Sequence, residues 1–146
     1  MNDVKEQENV VLKISRKFET SVEKVWAAWT NPDMISIWWL HEGFSQPMPI
    51  EFDLKVGGGF KFHLQPPEGD SFYAYGIFKE IIPNQLIKST WLWSHSEQET
   101  ILTVEFKESD GGTELTLIQE LFTDEAQRDL YADGWQKCLD RIENLF

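Results

Sequence analysis

The sequence has little cysteine: Cys138 is the only one among 146 residues. A single cysteine cannot form an intrachain disulfide, and this favours a reducing compartment, so the sequence predicts a cytoplasmic protein. Long apolar runs are also lacking, since no window approaches the roughly 18 apolar residues of a membrane span. Residues 1–9 are polar and lack the apolar core of a signal peptide. We therefore expect no membrane segment.

Positive charge is scarce as well. The chain has 13 Lys and Arg against 25 Asp and Glu, which gives a formal net charge of −12. Nucleic acids and anionic membranes are recognised chiefly by clustered cations, and no basic run is present. The sequence thus predicts neither a nucleic-acid partner nor a membrane partner.

Motifs for metals and phosphates are missing. The histidines, at positions 41, 63 and 95, lie on separate segments without a metal-ligand spacing such as HExxH. The glycines at positions 57–59 are not followed by the Lys and Ser or Thr of a phosphate-binding loop, so a hairpin turn is the better interpretation. We predict no metal and no cofactor.

Aromatic residues, by contrast, are abundant. They form 14% of the chain, with ten Phe and seven Trp. Each such ring buries a large apolar surface, so the composition indicates either a core packed with rings or a pocket lined with them. Composition alone favours the core.

The first part of the chain is predicted as one strand followed by two short helices. Residues 10–18 alternate apolar and polar side chains, as a half-buried strand does. Thr20 and Glu23 have the spacing of a capping box, which predicts a helix after them. Asn31 and Pro32 end that helix and begin a second one, because proline fits the first turn of a helix.

Six strands are then expected, because the apolar period changes to two. Gly76 lies inside one of these strands and predicts a bulge or a sharp bend there. Asp53 is interpreted as a structural residue whose carboxylate accepts hydrogen bonds from the backbone amides of the turn. Turns rich in Gly, Pro, Asn and Asp separate the strands, which are predicted at residues 50–54, 60–64, 72–82, 85–93, 100–107 and 113–121.

A long helix ends the chain. Thr123 or Asp124 is expected to cap it, and about 22 helical residues would reach about 33 Å. Its apolar stripe is predicted to consist of Leu130, Tyr131, Gly134, Trp135, Cys138, Leu139, Ile142 and Leu145.

This order predicts an α+β fold of the helix-grip type. Consecutive strands joined by short turns form an antiparallel sheet, and one long amphipathic helix can bury a face of that sheet only if the sheet curls around it. We expect a flexible segment at residues 1–9 and a single domain at residues 10–146.

Several motifs in this order resemble a known family. They are VWAAWTNPD at residues 25–33, WW at 38–39, FDLKVGGGF at 52–60, GIFKEIIP at 76–83, GTELTL at 112–117 and GW at 134–135. Together they resemble the START-like, or SRPBCC, superfamily, and within it the heat-shock protein 90 ATPase activator-like domain.

The resemblance implies a hydrophobic cavity between the sheet and the last helix. An empty pocket of about 300 Å³ would cost about 7 kcal/mol, so such a pocket is expected to be filled, wet or collapsed, or else kept because binding is selected. If Tyr73 and Tyr75 face inwards, their hydroxyls would be its polar groups. The predicted lining is Trp26, Trp29, Trp38, Phe60, Phe62, Tyr73, Tyr75, Trp91, Trp93, Tyr131, Trp135 and Leu139.

Two pairs of titratable residues are candidates for acid–base catalysis. His41 and Glu42 follow the tryptophan pair and could act as acid and base, but a solvated loop pair is the simpler interpretation. Glu51 and Asp53 share one face of a strand, which is expected to face water because apolar residues occupy the other face. No catalytic residue is predicted.

The sequence therefore predicts a protein that binds a small hydrophobic, lipid-like or aromatic ligand, and it favours a carrier over an enzyme. Two alternatives remain open: a cyclase-like or dehydratase-like enzyme acting on a polyketide or cyclic substrate, and a stress-response or chaperone-associated module. A homodimer with a functional surface is a further alternative. The eukaryotic co-chaperone of this family has a separate chaperone-docking domain without a counterpart here, so a chaperone partner is not predicted.

Overall fold

The computed structural model describes residues 10–39 and 50–146. The elements follow one another as strand, two helices, six strands and helix, which confirms the predicted order. Their bounds are β1 Val10–Phe18, α1 Val22–Thr30, α2 Pro32–Trp38, β2 Ile50–Phe52, β3 Gly59–Leu64, β4 Phe72–Ile82, β5 Leu86–Trp93, β6 Thr100–Ser109, β7 Gly112–Phe122 and α3 Glu125–Glu143.

One antiparallel sheet of seven strands, in the order β1-β7-β6-β5-β4-β3-β2, forms the body of the fold. Strand β1 crosses over to pair with β7, and every other strand pairs with its neighbour in sequence. The inward side chains of the sheet pack with α1, α2 and α3 into one hydrophobic core. This is the predicted helix-grip fold.

Short polar residues begin the two small helices. Asn31 caps α2 as expected, since its side chain accepts a hydrogen bond from the Asp33 amide at 2.9 Å. The prediction that Thr20 caps α1 is wrong by one residue. Ser21 is the cap, and its hydroxyl accepts from the Lys24 amide at 3.3 Å.

The glycine turn between β2 and β3 is closed by main-chain groups. Gly58 donates its amide to the Lys55 carbonyl at 2.8 Å, and Lys55 donates to the Asp53 carbonyl at 2.9 Å. Among the described residues, the Asp53 carboxylate contacts only the Lys55 ammonium, at 3.7 Å. The expectation that this carboxylate receives turn amides is therefore wrong, because the main-chain carbonyls already accept those amides.

Gly76 is a point of close approach rather than a bend. A Cβ there would lie 2.0 Å from the Thr90 carbonyl oxygen and 2.8 Å from the Phe60 ring. The irregularity in the pairing of β4 with β5 comes later, between Phe78 and Glu80. The prediction of a bulge or bend at Gly76 is therefore wrong. Glycine is needed here because a side chain would collide with the Phe60 ring of β3 and the Thr90 carbonyl of β5.

Helix α3 begins at its predicted cap. Asp124 accepts a hydrogen bond from the Gln127 amide at 2.8 Å. The buried residues of the helix are Trp135, Cys138, Leu139 and Ile142, all in its second half. Leu130 is 75% exposed, so its predicted place on the apolar stripe is wrong.

Polar contacts hold the second half of α3 in place. Arg16 of β1 donates to Asp140 at 2.6 Å and to Gln136 at 2.7 Å. Arg141 donates from Nε to the Trp38 carbonyl at the end of α2, at 2.8 Å. The first half of the helix, which contributes no buried residue, is the less firmly packed part of the layer that covers the sheet.

Across residues 10–39 and 50–146, we find no helix with the length and apolarity needed to cross a bilayer.

Candidate ligand-binding interior

Aromatic rings cover the inner face of strands β3, β4 and β5. The alternation of strand side chains turns Phe60 and Phe62 of β3 and Trp91 and Trp93 of β5 to the same side. The Phe60 and Trp91 ring centroids are 5.6 Å apart, and those of Trp91 and Trp93 are 6.1 Å apart. The inner face of this part of the sheet is therefore rich in aromatic rings.

A small inner cavity lies among these rings. Its volume is about 30 Å³, which is room for water rather than for an organic molecule. We call it the inner cavity, and its lining consists of Trp29, Phe52, Phe60, Phe62, Phe78, Ile87, Ser89, Trp91, Leu102 and Val104.

A second space, the cleft, lies where α3 covers β5. Its volume is about 50 Å³, and its lining consists of Trp39, Trp91, Trp93, Tyr131, Gly134, Trp135 and Cys138. Among the described lining residues, Gly134 alone has no side chain, and a Cβ there would have no neighbour within 4 Å. The helix backbone at this position thus leaves open space above the rings of the sheet.

Of the residues that the structure describes, Trp91 alone lines both spaces. Its ring lies 5.2 Å from that of Trp135 on α3 and is 2% exposed. The cleft and the inner cavity therefore both border the buried Trp91 side chain.

The buried indole N–H groups differ in their partners. Trp38 donates to the Ala28 carbonyl at 2.7 Å, and Trp135 donates to the Gln119 side-chain oxygen at 2.8 Å. The N–H groups of Trp29 and Trp91 have no hydrogen-bond partner among the described residues. A buried donor without a partner costs about 1–3 kcal/mol, so the interior holds donors that lack an acceptor.

Tyr131 and Cys138, which line the cleft, are both held neutral. Burial raises the pKa of Tyr131 to about 12, and the nearby indole N–H groups of Trp93 and Trp91 partly oppose the rise. Burial likewise raises the pKa of the Cys138 thiol to about 11, against the effect of Arg141. At pH 7 the cleft thus contains a phenol and a thiol rather than their anions, and a neutral thiol is a poor nucleophile.

The predicted lining residues fall into three groups. Trp29, Phe60, Phe62 and Trp91 line the inner cavity, while Trp93, Tyr131 and Trp135 line the cleft beside Trp91. Trp26, Trp38 and Leu139 belong to the core but line neither space; Trp26, for example, packs on Phe106 with ring centroids 5.1 Å apart.

Tyr73 and Tyr75 lie on the opposite face of the sheet. The Tyr73 ring packs on His63 at 5.2 Å and has the Lys61 ammonium 5.1 Å from its centroid. Ala74, between the tyrosines, is fully buried, so the alternation of β4 turns both of them outwards. Their predicted place in the lining is therefore corrected, and Tyr131 is the tyrosine that supplies a hydroxyl.

The sequence analysis did not predict several of the lining residues. Once one inward residue of each strand is known, the period of two identifies the others, which are Phe52, Phe78, Ser89 and the aliphatic residues of β5 and β6. Trp39 was read only as part of a motif. Gly134 and Cys138 were placed on the apolar stripe of the helix, which signalled that they face the sheet but not that open space lies there.

The structure does not place the Glu51 carboxylate, one of the catalytic candidates, in this interior. Glu51 accepts a hydrogen bond from His63 at 2.7 Å on the outer face, and this bond lowers the pKa of Glu51. His41 and Glu42 lie outside the described residues. Within the two described ranges, no group of three or more His, Cys, Asp or Glu side chains is placed to hold a metal ion.

Fold and interior together define a helix-grip protein with an aromatic interior under its C-terminal helix. Solved structures share this fold. Protein CV1439 from Chromobacterium violaceum is 24% identical with a TM-score of 0.83, over 92% of this chain and 95% of that one. A protein from Rhodobacter sphaeroides is 24% identical with a TM-score of 0.81, over 92% and 91%. CalU16 from Micromonospora echinospora is 22% identical with a TM-score of 0.72, over 92% and 74%.

The family is shown by a match over most of the chain. The family described as Activator of Hsp90 ATPase homolog 1-like protein matches residues 19–146. The chain therefore belongs to that family, as its motifs indicated. A search of the curated proteins found no matching sequence.

Proposed function

We propose that this protein binds a small, flat hydrophobic molecule between the sheet and α3. The observation that carries the proposal is that Trp91 lines both the aromatic cleft and the inner cavity. Ligand pockets are commonly apolar and aromatic with a few polar groups, which is the composition of this interior. The lone cysteine, held as a buried thiol, supports a role in the cytoplasm.

Binding requires the interior to open. The two spaces measure about 30 and about 50 Å³, whereas ligand pockets commonly span about 300–1,000 Å³. Without a ligand, the rings fill the interior, so little of the roughly 7 kcal/mol cost of a large dry pocket arises. A ligand must therefore displace Trp91 or lift part of α3, and the bound state is a rearranged one.

The first half of α3 is the part that can move. Its residues are exposed or, like Tyr131, only partly buried, whereas Trp135, Cys138, Leu139 and Ile142 are buried and the second half is anchored to the sheet and to α2. Leu121, the last residue but one of β7, has a φ of 74°, a left-handed conformation that is strained for leucine. The entrance is thus proposed at Tyr131 and Gly134, where the cleft meets this half of the helix.

Native mass spectrometry tests whether the protein carries such a ligand. The purified protein is compared under native and denaturing conditions. Mass present only in the native spectrum is the expected result, and its value gives the class of the molecule. A bare monomer mass, together with no binding of the planar fluorescent probe 1-aminoanthracene, would overturn the proposal.

A matched pair of leucine variants locates the site. Gly134→Leu puts a side chain into the open space of the cleft, and we expect it to weaken 1-aminoanthracene binding at least tenfold. Asp133→Leu places the same leucine side chain at the neighbouring position, where the native side chain is 70% exposed and pairs with Lys137, and should leave binding unchanged. Fluorescence titration measures both, and a thermal melt shows that both are folded. Equal weakening, or none, would mean that the probe binds elsewhere.

A further inference from the structure

We infer that the ligand carries a neutral carbonyl oxygen, which accepts hydrogen bonds from the indole N–H of Trp91 and the hydroxyl of Tyr131. The inference rests on the proposed function and names the chemistry that the same site selects. It begins from the imbalance of polar groups in the interior, where donors outnumber acceptors.

The imbalance follows from the side chains that line the two spaces. An indole N–H can only donate, and a buried neutral phenol always has a proton to donate. Trp91 is 2% exposed, lines both spaces and has no hydrogen-bond partner among the described residues. Trp29, 7% exposed, adds a second unpartnered N–H to the lining of the inner cavity. An apolar hydrocarbon would leave these donors unsatisfied, whereas an acceptor oxygen would not.

Trp91 and Tyr131 are the donors that a single oxygen can reach. Both line the cleft, and the indole N–H groups of Trp93 and Trp91 lower the pKa of the Tyr131 hydroxyl against the effect of burial. An oxygen placed between them would accept from both. Trp135 does not compete, because its N–H already donates to Gln119 at 2.8 Å.

A carbonyl fits better than a carboxylate because the lining has no cation. Neither space has Lys or Arg among the described residues that line it, and the chain as a whole has a formal net charge of −12. Arg141 is close by, but it donates to the Trp38 carbonyl at 2.8 Å and to the Cys138 sulfur at 3.5 Å. A buried carboxylate would therefore lack an ion-pair partner among the described lining residues, whereas a neutral oxygen needs only the two donors.

The test compares 1-indanone with indane, which have the same rings and differ by a carbonyl in place of a methylene. Dissociation constants are measured for the wild type, Tyr131→Phe and Trp91→Phe. We expect Tyr131→Phe to weaken 1-indanone about tenfold and indane less than twofold. For Trp91→Phe, the change in indane affinity reports the altered volume, and 1-indanone should lose about tenfold more than indane does.

The outcomes separate this inference from the proposed function. If each variant changes the affinities for 1-indanone and indane by equal factors, or changes neither, the carbonyl oxygen does not accept hydrogen bonds from Trp91 and Tyr131. That result would overturn the inference but leave the proposed binding function standing. If neither molecule binds the wild type, the proposed function fails with it. Sodium benzoate, added to the panel, tests whether the ligand's oxygen is charged. If benzoate binds more tightly than 1-indanone, and Tyr131→Phe weakens the two by the same factor, the inference of a neutral carbonyl is overturned.

Discussion

Gly76→Ala should destabilise the protein by about 3 kcal/mol, which lowers the melting temperature by roughly 10 °C. The new Cβ would lie 2.0 Å from the Thr90 carbonyl oxygen and 2.8 Å from the Phe60 ring. One of these neighbours is main chain in the adjacent strand, so the strands must separate or the ring must leave its place. Thermal and urea unfolding measure the loss.

Gly134→Ala is the matched control, because the same methyl group is added where nothing lies within 4 Å. Alanine is favoured over glycine inside a helix by about 1 kcal/mol, so this variant should be more stable than the wild type. Opposite signs for one chemical change would reflect local packing. A loss at Gly134 similar to that at Gly76 would contradict the open space in the cleft.

Gln119→Leu should also cost about 3 kcal/mol, although leucine is more hydrophobic. Gln119 is completely buried; its oxygen accepts from the Trp135 N–H at 2.8 Å, and its nitrogen donates to the Thr100 hydroxyl at 2.8 Å. Thr100 in turn donates to the Trp91 carbonyl at 3.1 Å. The glutamine thus connects α3 to the centre of the sheet, and its loss leaves the indole donor buried without an acceptor.

A double-mutant cycle with Trp135→Phe isolates that cost. Phenylalanine has no N–H, so in its background Gln119→Leu should cost at least 1 kcal/mol less than in the wild type. Urea unfolding of the four proteins supplies the free energies. Additive losses would show that the hydrogen bond to Trp135 does not stabilise the helix.

The fold could be predicted because its signals are local. Asn31 with Pro32, the alternation of Phe60 and Phe62, and the cap at Asp124 each fix an element within a few residues. The order of elements then leaves few ways to cover one sheet with one long helix. The errors at the local level are small, such as the cap at Ser21 instead of Thr20, because both residues carry a suitable hydroxyl.

The interior could be predicted only in part, because a face of a strand is chosen by tertiary contacts. Strand β4 carries apolar or aromatic side chains on both faces, so the period of two could not decide whether Tyr73 or Phe72 points inwards. Packing decides it: Ala74 and Gly76 leave room for the rings of β3 and β5. Whether the interior is open or filled depends on the fit of many rings and is not encoded in any short motif.

The most direct test of binding beneath α3 is a ¹⁵N–¹H spectrum of the seven tryptophan indoles during a titration with indane. Trp91, which lines both spaces, should show the largest change, and Trp93 and Trp135 of the cleft should also shift. Trp26, which lines neither space and packs on Phe106, should stay in place. Single Trp→Phe variants assign the signals. A spectrum in which Trp26 moves most, or in which indane binds without moving Trp91, would contradict the account.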